Sequence, residues 1–351
     1  MSELYYQQKT SAAITWLRFP LIFFIIMLHS YSVIRLSGNH ETYFKIVYPF
    51  ALWLGETGVP GFFFISGYLF FVSSKDYKQK LRTRIHTLLI PYFLWNVIML
   101  SAYLITYMIG YPQEINNRSL YDYTFFDYLR LFWDRGSYDN GNFVPLLCPL
   151  WYIRNLFIVA ILSPILYFLI KYLRELFIFS LTLWWLYTYD NAFIQQTLLF
   201  FSLGSYFSIF RINPLELFNK NKIFFLILFT TFAICDIAMH TIEGTSINLQ
   251  THRLSLIFNI PAFFLLADYC VNIGLRSNIL PNAAFIVFCV HYPIVVALRK
   301  LSISFFESSS EFTQIMLYFA CIFIATITSL SFFQILNKYF PKIKKILSGN
   351  R

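Results

Sequence analysis

Two side chains able to do chemistry lie on one side of an apolar stretch, Ile14–Ile34, which reads ITWLRFPLIFFIIMLHSYSVI. Arg18 and His29 are its only strongly polar side chains apart from hydroxyls. In a helix, at roughly 100° per residue, they fall about 20° apart around the axis, and at about 1.5 Å per residue they stand roughly 16 Å apart along it. An arginine at the centre of a membrane helix costs about 2.5–3.5 kcal/mol on insertion scales, so such residues face a protein interior or a wet cavity. Histidine is the side chain most easily poised as a general base near neutral pH. A lone intramembrane histidine can equally be a structural one bonded to a neighbouring helix; the arginine on the same face weighs toward the two ends of a site.

Further along, Gly58-Val59-Pro60-Gly61-Phe62-Phe63-Phe64-Ile65-Ser66-Gly67 combines small residues that permit close helix approach with a hydroxyl at membrane depth. The segment Gly55–Gly61, which includes Glu56, is expected to break the helix there. A basic loop follows, Lys75–Arg84, holding Lys80, Arg82 and Arg84. It is either purely topogenic or a docking site for a phosphate-bearing ligand, since arginine and lysine suit phosphate. Trp151-Tyr152-Ile153-Arg154-Asn155 places two aromatics that suit the outer interface beside an arginine that can snorkel there. His291 sits in the apolar run AAFIVFCVHYPIVV.

The elements carrying these residues are membrane helices. Of 351 residues 58% are hydrophobic and only 13% charged, with 42 Phe and 25 Tyr, and the apolar residues come in blocks long enough to cross about 30 Å of hydrocarbon. Ten spans are expected, near residues 14–34, 57–73, 87–109, 151–170, 176–189, 192–210, 223–240, 254–273, 283–300 and 313–335. An apolar segment, Phe44–Leu54, precedes the second. Seventeen of the 27 lysines and arginines fall in connections on the side of both termini and eight on the other, with Arg18 and Arg154 inside spans. By the positive-inside rule both termini are then cytoplasmic. The net charge of +10 therefore orients the chain in a bilayer and does not indicate nucleic acid. The five cysteines form no CxxC, so neither a disulfide framework nor a zinc site is expected. The longest connection, Tyr111–Leu150, carries Glu114, Asp122, Asp127, Asp134 and Asp139 among aromatics. It reads as a folded external cap or as a wall of an acceptor site. The fold expected is an all-α integral membrane protein without a soluble domain: one unit over 1–351, with a helical core about 12–335 and a basic cytoplasmic tail, 336–351. Neither a cleavable signal nor an appended hydrolase-like domain is expected.

Taken in order, these features resemble the acyltransferase 3 family of integral membrane acyltransferases. The resemblance runs over roughly 12–335: the Arg-x10-His pair at Arg18 and His29, the FFxxSGYL-like segment at Phe63–Leu69, the basic stretch ending in Leu81–Tyr92, the LWYIRNL segment at 150–156, and His291 before Tyr292-Pro293. Where many relatives have an acidic residue after the arginine of the fourth motif, this chain has Asn155. The resemblance implies acyl-CoA, by default acetyl-CoA, as donor, and as acceptor a hydroxyl of an extracytoplasmic or lipid-linked glycan, at a bacterial inner membrane and with no metal. It implies His29 as general base with Arg18 as its catalytic companion. Donor contact would fall to Lys80, Arg82, Arg84 and Ser66, and acceptor contact to Trp151, Arg154, His291 and Glu56. Arg18, Ser66 and Arg154 are the candidates to stabilise an oxyanion. A transporter or flippase of a lipid-linked or acylated substrate is the alternative from another class; the missing inverted repeat and the scarcity of Asp and Glu in the spans weigh against it.

Overall fold

A computed structural model describes residues 3–31, 47–111, 114–115, 118–136, 143–189, 192–239, 246–306 and 310–350. The end of the first expected span, the start of the Phe44–Leu54 segment and Asp139 lie outside the described residues. In lipid every backbone group must be satisfied within its own segment, so apolar blocks of this length become helices. The main ones are α1 (Glu3–Ser30), α2 (Tyr48–Val72), α3 (Tyr77–Arg84), α4 (Ile90–Met108), α5 (Phe125–Arg130), α6 (Trp151–Tyr187), α7 (Ala192–Ile209), α8 (Pro214–Lys220), α9 (Lys222–Met239), α10 (Ser246–Asn272), α11 (Ile279–Phe306), α12 (Glu311–Tyr339) and α13 (Pro341–Leu347). Among the described residues the sole strand pair is Glu114–Ile115 with Arg118–Ser119, two residues each and antiparallel.

Among the described residues seven helices are long and apolar enough to cross a membrane, or eight if α7 is counted with α8, from which it turns by 90°. α2 falls outside this set because Gly55, Glu56, Thr57 and Gly58 dilute its apolarity. α6 is 37 residues long, about 55 Å if straight and well beyond the hydrocarbon thickness. Its helical path is interrupted at Arg174, whose φ of 50° and ψ of −127° separate the stretches expected as the fourth and fifth spans.

Three expectations change. The Gly55–Gly61 segment does not break a helix; α2 runs unbroken through it. Its glycines instead admit α1. A Cβ at Gly55 would stand 2.6 Å from the Leu28 Cβ, one at Gly58 2.6 Å from the Leu21 carbonyl oxygen, and one at Gly61 2.9 Å from the Leu21 side chain. The opposing order of these contacts makes α1 and α2 antiparallel. The basic loop Lys75–Arg84 is helical from Tyr77, because the Asp76 side chain caps the Gln79 amide at 2.7 Å; it continues through a π-helical turn, Ile85–Leu89, into α4. The expected tail is folded as well. α12 extends to Tyr339, and α13 docks so that the Leu347 carbonyl accepts from Trp95 Nε1 at 3.0 Å.

The connection between α4 and α6 is a small folded cap over its own apolar cluster of Ile115, Leu120, Leu131 and Leu146. A capping box starts α5, with the Thr124 hydroxyl receiving the Asp127 amide and the Asp127 carboxylate receiving the Thr124 amide at 2.9 Å. Arg118 donates to the same carboxylate at 3.0 Å. These bonds, the arginine's first, hold the Asp127 carboxyl well below the usual carboxylate range. Asn96 Oδ1 accepts from the Leu147 amide at 3.1 Å, and Tyr92 donates to the Phe132 carbonyl, so α4 carries the cap.

α2 is the central helix. On one side it takes α1, and on another it meets α7 at backbone distance. A Cβ at Gly67 would lie 2.0 Å from the Phe201 carbonyl oxygen, and one at Gly204 would lie 1.9 Å from that of Phe64. Gly67→Ala or Gly204→Ala therefore forces α2 and α7 apart. Each is expected to cost at least about 1–3 kcal/mol as overpacking. Thermal unfolding of the detergent-purified protein measures it, and an unchanged melting temperature would contradict this packing.

Candidate active site

α1, α2, α3, α6 and α11 surround a cavity of about 250 Å³. Into it come Arg18 from α1, Ser66 from α2, Arg84 from α3, Tyr152 from α6, and Phe285 and Phe288 from α11. The α1–α2 glycine contact sets Arg18 and Ser66 on a common wall. Ser66 Oγ lies 3.4 Å from the Tyr152 hydroxyl. The α3 side chains at the mouth lie against aromatic faces, with Arg84 5.6 Å and Lys80 5.2 Å from the Phe70 ring centre. Arg82 is exposed and does not line the cavity. Among the described residues neither Arg18 nor Arg84 forms an ion pair with a carboxylate, so the cavity carries two uncompensated guanidinium groups beside a hydroxyl. This is an environment for an anion with several acceptor oxygens, such as a phosphate.

Phe288 closes the inner end of this cavity. It is 3% exposed, with its ring 5.9 Å from Tyr152 on one side and 6.1 Å from His291 on the other. Beyond it, one helical turn of α11 brings His291 and Tyr292 against α1. The His29 ring lies 5.4 Å from that of His291 and 5.1 Å, edge on, from that of Tyr292. His291 is fully buried; its Nδ1 lies 3.2 Å from the Val287 carbonyl, which only accepts, so Nδ1 carries the proton and Nε2 keeps a lone pair. That Nε2 has no hydrogen-bond partner among the described residues. The cluster thus holds an imidazole nitrogen able to accept a hydrogen bond. There Arg135 of the cap reaches down to donate to the Tyr292 hydroxyl at 3.4 Å.

The residues expected to act together divide into two groups along α1. Arg18, Ser66 and Arg84 share the cavity, with Lys80 at its edge, whereas His29 and His291 form a second cluster beyond Phe288. Trp151 belongs to neither: it is 7% exposed and stacks on Phe193 with ring centres 3.8 Å apart, which makes it core packing. Arg154 does not snorkel into open solvent. It donates to the Trp133 carbonyl at 2.6 Å and the Phe143 carbonyl at 2.9 Å, lies over the Trp133 ring, and pins the cap to α6. Asn155, in the position acidic in many relatives, accepts from Arg154 at 3.2 Å and donates to Thr197 at 3.3 Å.

Glu56 is drawn into a network that the sequence did not bring together. His252 of α10 faces two carboxylates, Asp236 of α9 at 2.8 Å from Nδ1 and Glu56 of α2 at 3.1 Å from Nε2. Ser255 donates to the same Asp236 oxygen at 3.0 Å, and Asn259 donates to Thr57 at 2.6 Å. Carboxylate oxygens only accept, so the geometry is that of an imidazolium donating twice. The available signal was cost: an ionisable residue in each of two consecutive apolar helices, neither affordable alone, marks a pair. Arg135, Tyr292 and Phe288 were also outside the expected set. Among the described residues no group of His, Cys, Asp and Glu side chains is arranged to hold a metal ion.

Comparison with known proteins agrees with the series of motifs. A family model described as an acyltransferase domain matches residues 11–333. The succinoglycan biosynthesis protein ExoH of Rhizobium meliloti (strain 1021) is 23% identical over 325 residues, which cover 86% of this chain and 82% of that protein. No solved structure matches significantly.

The buried network makes its own prediction. His252→Ala leaves Asp236 inside the bundle without its cation, and breaking a buried pair by removing one partner costs about 3–5 kcal/mol. The variant should unfold at clearly lower temperature than the parent, and adding Asp236→Asn should recover part of the loss. Equal melting of His252→Ala and the parent would show that the pair carries no stability.

Proposed function

The chain belongs to the acyltransferase 3 family, and from that premise we propose that it transfers an acyl group, acetyl by default, from cytoplasmic acyl-CoA to a hydroxyl of an extracytoplasmic or lipid-linked glycan. The observation that carries this reading is the pair of sites along α1. An anion-binding cavity lies at the Arg18 end and an imidazole cluster at the His29 end, with Phe288 between them. The charge asymmetry of the connections supports cytoplasmic termini, which puts Lys80 and Arg84 on the side where acyl-CoA is found. Ten spans follow if α2, α7 and both arms of α6 cross, in a single membrane domain over 1–351 in a bacterial inner membrane. The similarity to a succinoglycan biosynthesis protein supports polysaccharide as the acceptor class.

In this reading Arg84 and Lys80 hold the donor's phosphates, and Arg18 and Ser66 line the path of its thin arm. His29 takes the proton from the acceptor hydroxyl as its oxygen attacks the thioester carbonyl; the carbon–sulfur bond then breaks and the thiolate leaves toward the cytoplasm. An oxyanion donor must come within about 2.7–3.1 Å. Arg18, roughly 16 Å along the helix from His29, cannot meet that at the same carbon, and Arg154 is occupied by two carbonyls. We assign this role to the Tyr292 hydroxyl, on the ring that stands 5.1 Å from that of His29. Arg18 is thereby assigned to the donor, not to the reacting carbon.

Purified protein given radiolabelled acetyl-CoA and an acceptor glycan tests this. His29→Ala, inserted normally in the membrane, should lose transfer by about 10²–10⁴-fold, the contribution typical of a general base; full activity in that variant would end the assignment. Arg84→Gln should raise the donor KM more than it lowers kcat, and an unchanged donor KM would place the phosphates elsewhere. Movement of intact substrate without thioester turnover would favour a flippase instead.

A further inference from the structure

The cap contains a cavity of its own, about 220 Å³, one of whose lining residues, Arg135, donates to the Tyr292 hydroxyl beside His29. Three arginines, Arg118, Arg130 and Arg135, and two carboxylates, Asp127 and Asp134, line it together with Tyr123. The first two arginines are spoken for. Arg118 donates to Asp127 at 3.0 Å and to the Asp122 carbonyl, and it lies 4.7 Å over the Tyr123 ring. Arg130 donates to Asp134 at 3.0 Å, and the other oxygen of Asp134 receives the Gly136 amide at 2.9 Å.

Arg135 differs from both. Among the described residues no carboxylate pairs with it. The side-chain hydrogen bond it makes is the one to the Tyr292 hydroxyl, which uses one of five guanidinium N–H donors. Its backbone is held by a bond from its amide to the Val144 carbonyl at 2.7 Å. The cavity thus has a net single positive charge, concentrated on the residue nearest the histidines. Through Tyr292, whose ring is 5.1 Å from that of His29, this charge stands one side chain from the imidazole cluster.

We propose that the cap cavity binds an anionic oxygen group of the acceptor saccharide, a sugar carboxylate or a phosphate, on Arg135, and that this anchor presents the saccharide to His29. The proposal rests on reading the His29 end as the acceptor side. The chemistry is the planar bidentate recognition of carboxylate or phosphate to which arginine is suited. The volume is below the roughly 300–1,000 Å³ of pockets that enclose a drug-sized ligand, so it suits one sugar residue with the remaining glycan outside.

The test is binding to the full-length protein in lipid nanodiscs, with methyl glucuronide, glucose 1-phosphate and neutral methyl glucoside as probes. The parent should bind at least one anionic probe about tenfold more tightly than the neutral one. The stronger of the two identifies carboxylate or phosphate as the source of the charge. Arg135→Gln should erase that preference and Arg135→Lys should keep part of it. A merely structural role for Arg135 would weaken neutral and anionic probes alike. No preference in the parent, or a preference that survives Arg135→Gln, overturns the proposal. His29→Ala separates it from the transfer reading. Arg135-dependent binding should persist in that variant, and should persist even if the parent proves unable to transfer an acyl group, an outcome that would overturn the transfer reading alone.

Discussion

How closely two helix backbones can approach α2 sets the positions of nearly everything else. Within a bilayer, helices gain no hydrophobic advantage by leaving lipid for one another, so their association rests on packing and polar contact. Gly55, Gly58 and Gly61 give α2 a face flat enough for α1, and at the α7 contact Gly67 faces the Phe201 carbonyl and Gly204 the Phe64 carbonyl at distances that leave no room for a Cβ. Arg18 and His29 ride on α1, Ser66 and Glu56 on α2. Their mutual geometry is inherited from those glycines. The cavity wall of Arg18 and Ser66 exists because α1 lies against the glycine face at a fixed register.

The charged groups at membrane depth fall into two kinds. Glu56, His252 and Asp236 neutralise one another through hydrogen bonds across α2, α9 and α10, and form a finished structural element. Arg18 and Arg84 have no acidic counterpart among the described residues and open onto a cavity. Burying charge is tolerable only when a partner or water is supplied, and an arginine that lines a cavity without a carboxylate or carbonyl partner is placed to accept an anion there. The contrast between the two kinds separates a joint from a site more sharply than the identity of any single residue.

Much of this was readable in the sequence where the relation is local. A helix repeats every 3.6 residues, so Arg18 and His29 were placed on one face by counting, and apolar block lengths located the helices. What escaped was set by contacts between distant segments. Gly55–Gly61 has the composition of a helix breaker, yet α1 packs against it and holds α2 continuous through it. Glu56 reads as a stray acid until His252, some two hundred residues later, lies beside it. Arg154 reads as an interface arginine because its partners, the Trp133 and Phe143 carbonyls, belong to a cap whose path follows no simple period. Trp151, in a motif that drew attention for its aromatic pair, turned inward onto Phe193.

Phe288 has a meaning beyond the reaction. The cavity it closes and the cap cavity above Tyr292 are separate spaces, and the packed rings of Phe288, Tyr152 and His291 form the partition between them. A membrane catalyst with reactants on opposite faces is, in outline, a pore. A cell that maintains an ion gradient cannot tolerate one that stands open. Rings packed at these distances leave little room for a continuous file of water between the two spaces. On the proposed route, a donor arm entering beside Arg18 meets the Phe288 ring before it reaches the histidines, so the same ring that separates the two spaces is the one that such an arm would have to displace.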